Sequence, residues 1–114
     1  MAASIKRISQ LLDANGNPVT GLIFPGWIDN LVLAANTAKA YTVPTGARNL
    51  NIVSDGDIWV AGDATAAIPS GDVIDGSGSL LNPGVVSVVG ITTLSLKSLN
   101  GCNVSISVYS YGGV

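Results

Sequence analysis

Residues 72–84 read DVIDGSGSLLNPG and hold three glycines, two serines and two aspartates. Such a stretch can cradle a phosphate, ligate a metal or simply bend the chain. A dinucleotide loop needs Gly-x-Gly-x-x-Gly between a strand and a helix. Gly76 and Gly78 supply the first two positions, but Leu81 stands at the third. Asn82-Pro83 then blocks the helix whose N-terminus would hold the pyrophosphate. The Gly-Lys-Ser/Thr of a P-loop occurs nowhere. A calcium loop needs oxygen ligands at regular spacing and a closing bidentate Glu. Asp72, Asp75, Ser77 and Ser79 offer oxygens, and Asp13-Ala14-Asn15-Gly16-Asn17 mimics part of such a loop. Neither closes on Glu, because the chain has none. Turn chemistry is therefore the expectation: Gly tolerates positive φ, Asp and Ser satisfy local backbone, and Pro ends the run.

The remaining chemistry is sparse. The chain has no His and one Cys, Cys102. That removes Ser-His-Asp and Cys-His catalysis and any ordinary zinc site. Cys102 has no partner in its own chain for a disulfide and lies on the apolar phase of CNVSISVY, where a free thiol reads as a small buried hydrophobe. The close carboxylate pairs, Asp55/Asp57 and Asp72/Asp75, sit in turn sequences with little apolar material to raise a pKa. Tyr41 and Arg48 could bind a ligand, but nothing in the sequence converges on them. The expectation is a protein that is not an enzyme and has no catalytic residue, metal or cofactor.

The elements read as strands. Leu50 and Ile52 alternate with Asn49 and Asn51, and Leu94 and Leu96 with Ser95 and Lys97. Cys102, Val104, Ile106 and Val108 alternate with Asn103, Ser105, Ser107 and Tyr109, as in a sheet with one buried face. Asp55-Gly56 and Asn100-Gly101 between such runs predict two hairpins. Further strands are expected at 31–33, 38–43 and 85–89, separated by Gly/Pro/Asn turns. That spacing predicts an all-β chain, an antiparallel β-sandwich. Residues 1–30 are expected to form an extended N-terminal arm or hairpin around Asn15-Gly16, and residues 31–114 the sandwich domain. Trp59 alternates with Ile58 and Val60, so it is read as core or interface rather than a sugar platform.

Charged residues make up 11% of the chain, against roughly 25% in typical domains. Gly, Ser, Thr and Asn take their place. A weakly charged surface suits contact with other protein, so self-association is expected. The basic residues Lys6, Arg7, Lys39, Arg48 and Lys97 are scattered, which argues against nucleic acid as a partner. No run of 18 apolar residues occurs, and no membrane contact is expected. The start, MAASIKRISQLLDANG, lacks the apolar core of a secretory signal, so synthesis in a cytoplasm is expected.

Three motifs carry a family resemblance. They are Tyr41-Thr42-Val43-Pro44-Thr45-Gly46-Ala47, the run Gly56-Asp57-Ile58-Trp59-Val60, and Asp75-Gly76-Ser77-Gly78-Ser79-Leu80-Leu81-Asn82-Pro83-Gly84. With the closing pair TTLSLKS and CNVSISVYS, they make residues 31–110 resemble small structural proteins of tailed bacteriophages. The resemblance implies a capsid decoration, or cement, protein: a jelly-roll-like module on the outer surface of the virion. It would bridge subunits of the major capsid protein and associate with itself as a dimer or trimer, with trimer favoured. The family brings no fixed site motif, so no functional residue carries over. From the residues themselves, the expected capsid or subunit contacts are the apolar side chains of the arm: Ile5, Ile8, Leu11, Leu12, Phe24 and Trp27. Other classes stay open: a tail, head-fibre or head–tail junction component, or a carbohydrate- or receptor-binding β-module.

Overall fold

The structure is a computed structural model that describes residues 3–7, 11–12, 15, 18–19 and 23–110. Among these residues there is no helix. The strands are β1 (Lys6–Arg7), β2 (Leu11–Leu12), β3 (Pro18–Val19), β4 (Ile28–Leu33), β5 (Lys39–Thr42) and β6 (Asn49–Ser54). They continue as β7 (Trp59–Gly62), β8 (Leu80–Leu81), β9 (Gly84–Ser87), β10 (Thr93–Lys97) and β11 (Cys102–Ser110). Two antiparallel sheets pack face to face as a β-sandwich. The first runs β4-β11-β6-β9, with β1 added in parallel beside the end of β11. The second runs β5-β10-β7-β8. β2 and β3 form a separate antiparallel pair on either side of Asn15.

Alternation builds the core. Leu33, Leu50, Ile52, Val104, Ile106 and Val108 face inward from the first sheet. Tyr41, Val60, Leu94 and Leu96 meet them from the second, and Ile58 and Val88 complete the cluster. Each large side chain buried in this way contributes roughly 1.5–3 kcal/mol. β4 begins at Ile28, three residues before the strand expected at 31–33. The backbone oxygen of Trp27 prolongs its pairing by accepting from Val108 N at 3.0 Å.

The two predicted hairpins are corrected by the strand pairing. β6 pairs with β11 and β9, whereas β7 pairs with β10 and β8. Asp55-Gly56 therefore carries the chain from one sheet to the other. Asn100-Gly101 does the same between β10 and β11. The cause lies in the contacts each turn makes. Asp55 donates its N–H to Asn103 O, and its carboxylate accepts from Asn103 N at 2.7 Å and from Asn103 Nδ2 at 3.0 Å. Those bonds tie the turn to β11, not to β7. Gly101 has φ +79°, and a Cβ there would lie 2.8 Å from Leu33 O, so the second crossing passes tightly over the end of β4. Among β4–β11, only the step from β7 to β8 stays within one sheet.

That step contains the long loop 63–79. The loop folds back over the outer face of the second sheet. Ala66 N donates to Ser95 Oγ at 2.8 Å, and both residues are buried. Within it Asp75 Oδ1 accepts from Ser77 N and Ser77 Oγ, a local Asx turn with Gly76 at φ +89°. Asn82, at φ 45°, ends the excursion. Its N–H donates to Ile58 O, its Oδ1 accepts from Ile58 N at 2.9 Å, and its Nδ2 donates to Asp57 Oδ1. Asn82 thus continues the β7–β8 ladder with its own side chain.

Replacing Asn82 with Ala leaves Ile58 N without its acceptor and puts a Cβ-bearing non-Asn residue at positive φ. Urea unfolding is expected to show a loss of about 1–3 kcal/mol for Asn82→Ala. Asp75→Ala, which breaks only an exposed turn, is expected to leave the midpoint where it is.

Candidate contact surfaces

One side-chain cluster links the sheets. Asp29 lies on the inward phase of β4 with Leu31 and Leu33. Its Oδ2 accepts from Tyr41 Oη on β5 at 2.6 Å and from Trp27 Nε1 at 2.9 Å. Burial, and then the hydrogen bond and charge of Asp29, push the Tyr41 phenol well above its ordinary 10.0. Two hydrogen-bond donors answer a carboxylate at the sandwich edge, which is what such a group needs when partly withdrawn from water. The cluster acts as a clamp between β4 and β5. Sequence reading singled out Tyr41 and Trp27 but missed Asp29. The available signal was a charge on the apolar phase of IDNLVL.

The three other notable carboxylates satisfy backbone. Asp63 accepts from Thr92 N, Thr92 Oγ1 and Thr93 N at 3.0–3.1 Å and so fixes the start of β10. These bonds hold the Asp63 carboxyl below its ordinary value of 3.8, and the bonds from Asn103 and Ser77 do the same for Asp55 and Asp75. No group of three or more His, Cys, Asp or Glu among the described residues is placed to hold a metal. Within DVIDGSGSLLNPG, Asp75–Ser77 form a turn, while Leu80–Leu81 pair as β8 and Gly84 opens β9, so part of the stretch expected to be turn is strand.

The expected contact residues fall into three groups. Ile5 is half-buried and packs against the core together with Trp27. Phe24 lies 80% exposed. Leu11 and Leu12 form β2, with side chains outside the described set, and Ile8 lies outside the described residues. Residues 3–7 and 23–27 are brought together on the sandwich: Ser4 N donates to Gly26 O at 3.0 Å, and a Cβ on Gly26 would lie 2.5 Å from Ser4 O. Tyr109 Oη donates to Ile23 O at 2.7 Å. Tyr109 points outward, as its phase predicted, yet it is buried beneath this segment.

Two broader surfaces emerge only in three dimensions. The outer face of the first sheet carries charge only at its margins, at Asp55 beside Asn103 and at Lys6 beside Tyr109. Ile28, Asn30 and Val32 of β4, Asn49, Asn51 and Val53 of β6, and Val85 and Ser87 of β9 face outward around Asn103, Ser105 and Ser107 of β11. Val32 and Val53 flank a shallow groove over β11. The second surface is a cleft of about 470 Å³ between the edge strands β8 and β9, lined by Val60, Leu80, Pro83, Val86, Ile91 and Leu94. Trp59, in contrast, is half-buried beside Ala67, Pro69 and Val73 of the loop.

The clamp has a pH signature. A phenol whose pKa is raised in the fold stabilises it fully below the unfolded value of 10.0, and the contribution is lost as pH rises past that value. The wild-type urea midpoint is expected to fall above about pH 10, and less so in Tyr41→Phe. At neutral pH Tyr41→Phe is expected to cost about 1.5–3 kcal/mol, as for a hydrogen bond to a charged group. Asp55 and Asp63 give the opposite arm: their depressed values stabilise above 3.8, so the midpoint is expected to fall again below about pH 4, with a shallower fall in Asp63→Asn.

The chain matches no protein-family model, no curated protein and no solved structure.

Proposed function

We propose that this chain is a non-catalytic structural module of a tailed-phage virion, a decoration protein that binds the outer shell and bridges major capsid subunits as a small homo-oligomer. The observation that carries the reading is the outer face of the first sheet: four strands wide, mixed mainly from Ser, Asn and Val, with charge confined to Asp55 and Lys6 at its margins. Weakly charged patches of this kind lose little on desolvation and take many weak contacts. A shell presents the same docking surface many times, so modest contacts add through multivalency.

Two further features support the reading. The order β4-β11-β6-β9 against β5-β10-β7-β8 is the interleaving a jelly roll requires, and the motifs quoted above resemble shell proteins of that build. Asp55, Asp75 and Asn82 spend their side chains on backbone, and Tyr41 on Asp29. The position of Trp59, half-buried beside the loop, speaks against an aromatic sugar platform.

The test is copy number in purified particles, by quantitative mass spectrometry relative to the major capsid protein. A ratio near one, or a simple fraction of it, is expected; a handful of copies points instead to the tail or vertex, and absence from particles removes the virion reading. Val53→Lys, on the exposed outer face, is expected to unfold at the wild-type temperature and to lower shell occupancy at least about tenfold, as a buried unpaired charge would.

A further inference from the structure

The sandwich has two unlike sides. On one, the edge strands β4 and β5 lie together, held by Asp29–Tyr41 and by Lys39 Nζ donating to Val32 O. This side carries Lys6 and Lys39, both exposed, and beside it stands Phe24 with four-fifths of its surface in water. On the other, β8 and β9 lie together and frame the apolar cleft. Around that side stand Asp57, Asp72 and Asp75, all exposed, and neither β8 nor β9 carries a Lys or Arg. Leu80, Leu81 and Val85 are left half-exposed there. Edge strands of a stable monomer are usually blunted by charge, Pro or a covering loop. Pro83 blunts only the start of β9, and loop 63–79 borders the cleft through Gly76, Ser77 and Gly78 while leaving it open.

We infer that two copies of this chain associate head to tail, the Phe24 ring of one entering the β8–β9 cleft of the next. Size and polarity agree. A phenyl ring fits an apolar cavity of about 150 Å³, and the cleft offers about 470 Å³. Pairing either side with itself would set Asp57, Asp72 and Asp75 against their own copies, or Lys6 and Lys39 against theirs. Head-to-tail contact sets the lysines against the aspartates, which favours that register and disfavours the two-fold one. A heterologous contact of this kind closes into a ring or runs on as a filament. Sequence shows none of it, because the cleft is assembled from β7, loop 63–79, β8, β9 and the start of β10. The inference shares with the proposed function only the self-association of the chain.

The experiment is sedimentation velocity on the full chain at increasing concentration, with Phe24→Ser and Leu80→Glu. Both side chains are largely exposed, so thermal unfolding at the wild-type midpoint is expected for each; Ser87→Glu, an exposed polar position lining the cleft, replaces Leu80→Glu should that variant melt early. Wild type is expected to form species of three or more subunits, and each variant alone to stay monomeric. Mixed one to one, Phe24→Ser and Leu80→Glu still share one intact knob and one intact cleft, so they are expected to form dimers and nothing larger. A wild type that stays monomeric overturns the inference and leaves the cleft to a foreign chain, whatever the copy number in particles. A Phe24→Ser variant that assembles like wild type also overturns it, as does a mixture that remains monomeric.

Discussion

A chain that changes sheet at almost every turn leaves backbone donors and acceptors at the two ends of the sandwich with no ladder to join. Those groups must be satisfied or they cost as much as a lost hydrogen bond each. In this protein short polar side chains meet the demand. Asp55 closes the crossing out of β6 onto Asn103, Asp63 closes the start of β10, and Asn82 takes the place of a strand residue against Ile58. Three of the seven acidic residues are thereby committed to backbone through Asp55, Asp63 and Asp75, and a fourth, Asp29, to clamping β4 to β5. The absence of Glu fits this use, since the shorter Asp side chain is the one that reaches its own or neighbouring backbone in a turn.

What the sequence made legible was local. Strict alternation at Leu50/Ile52, Leu94/Leu96 and Val104/Ile106/Val108 named the inward face of three strands and most of the core. The turn at Asp75-Gly76-Ser77 was legible because Asp-Gly-Ser geometry is settled within a few residues. What stayed hidden was pairing. Asp55-Gly56 has the composition of a hairpin turn, yet its carboxylate binds a residue 48 positions away. β8 escaped notice because two leucines inside a long connection have no periodicity to display. Asp29 escaped because one charge on an apolar phase is informative only when its partners, Trp27 and Tyr41, are known to converge on it.

The contact surfaces show the same division. Phe24 could be named from sequence as an apolar residue of the N-terminal part, but its exposure depends on Gly26 and Ser4 holding the segment against β11. The outer face of the first sheet is written into four strands that are far apart in the chain. Only register brings Asn51 beside Ser107 and Val53 beside Ser105. A surface assembled in this way leaves little trace in any one motif, because no single stretch of sequence contains it.

The loop that covers Ser95 also gives the molecule a front and a back. The second sheet is roofed by residues 63–67, while among the described residues the first is covered only by the segment over Tyr109. A sandwich with two bare faces can lie on a flat support either way up, and copies can pile face upon face. The roof thus makes the two broad faces of the sandwich unlike, so on a flat support the two ways up are no longer equivalent.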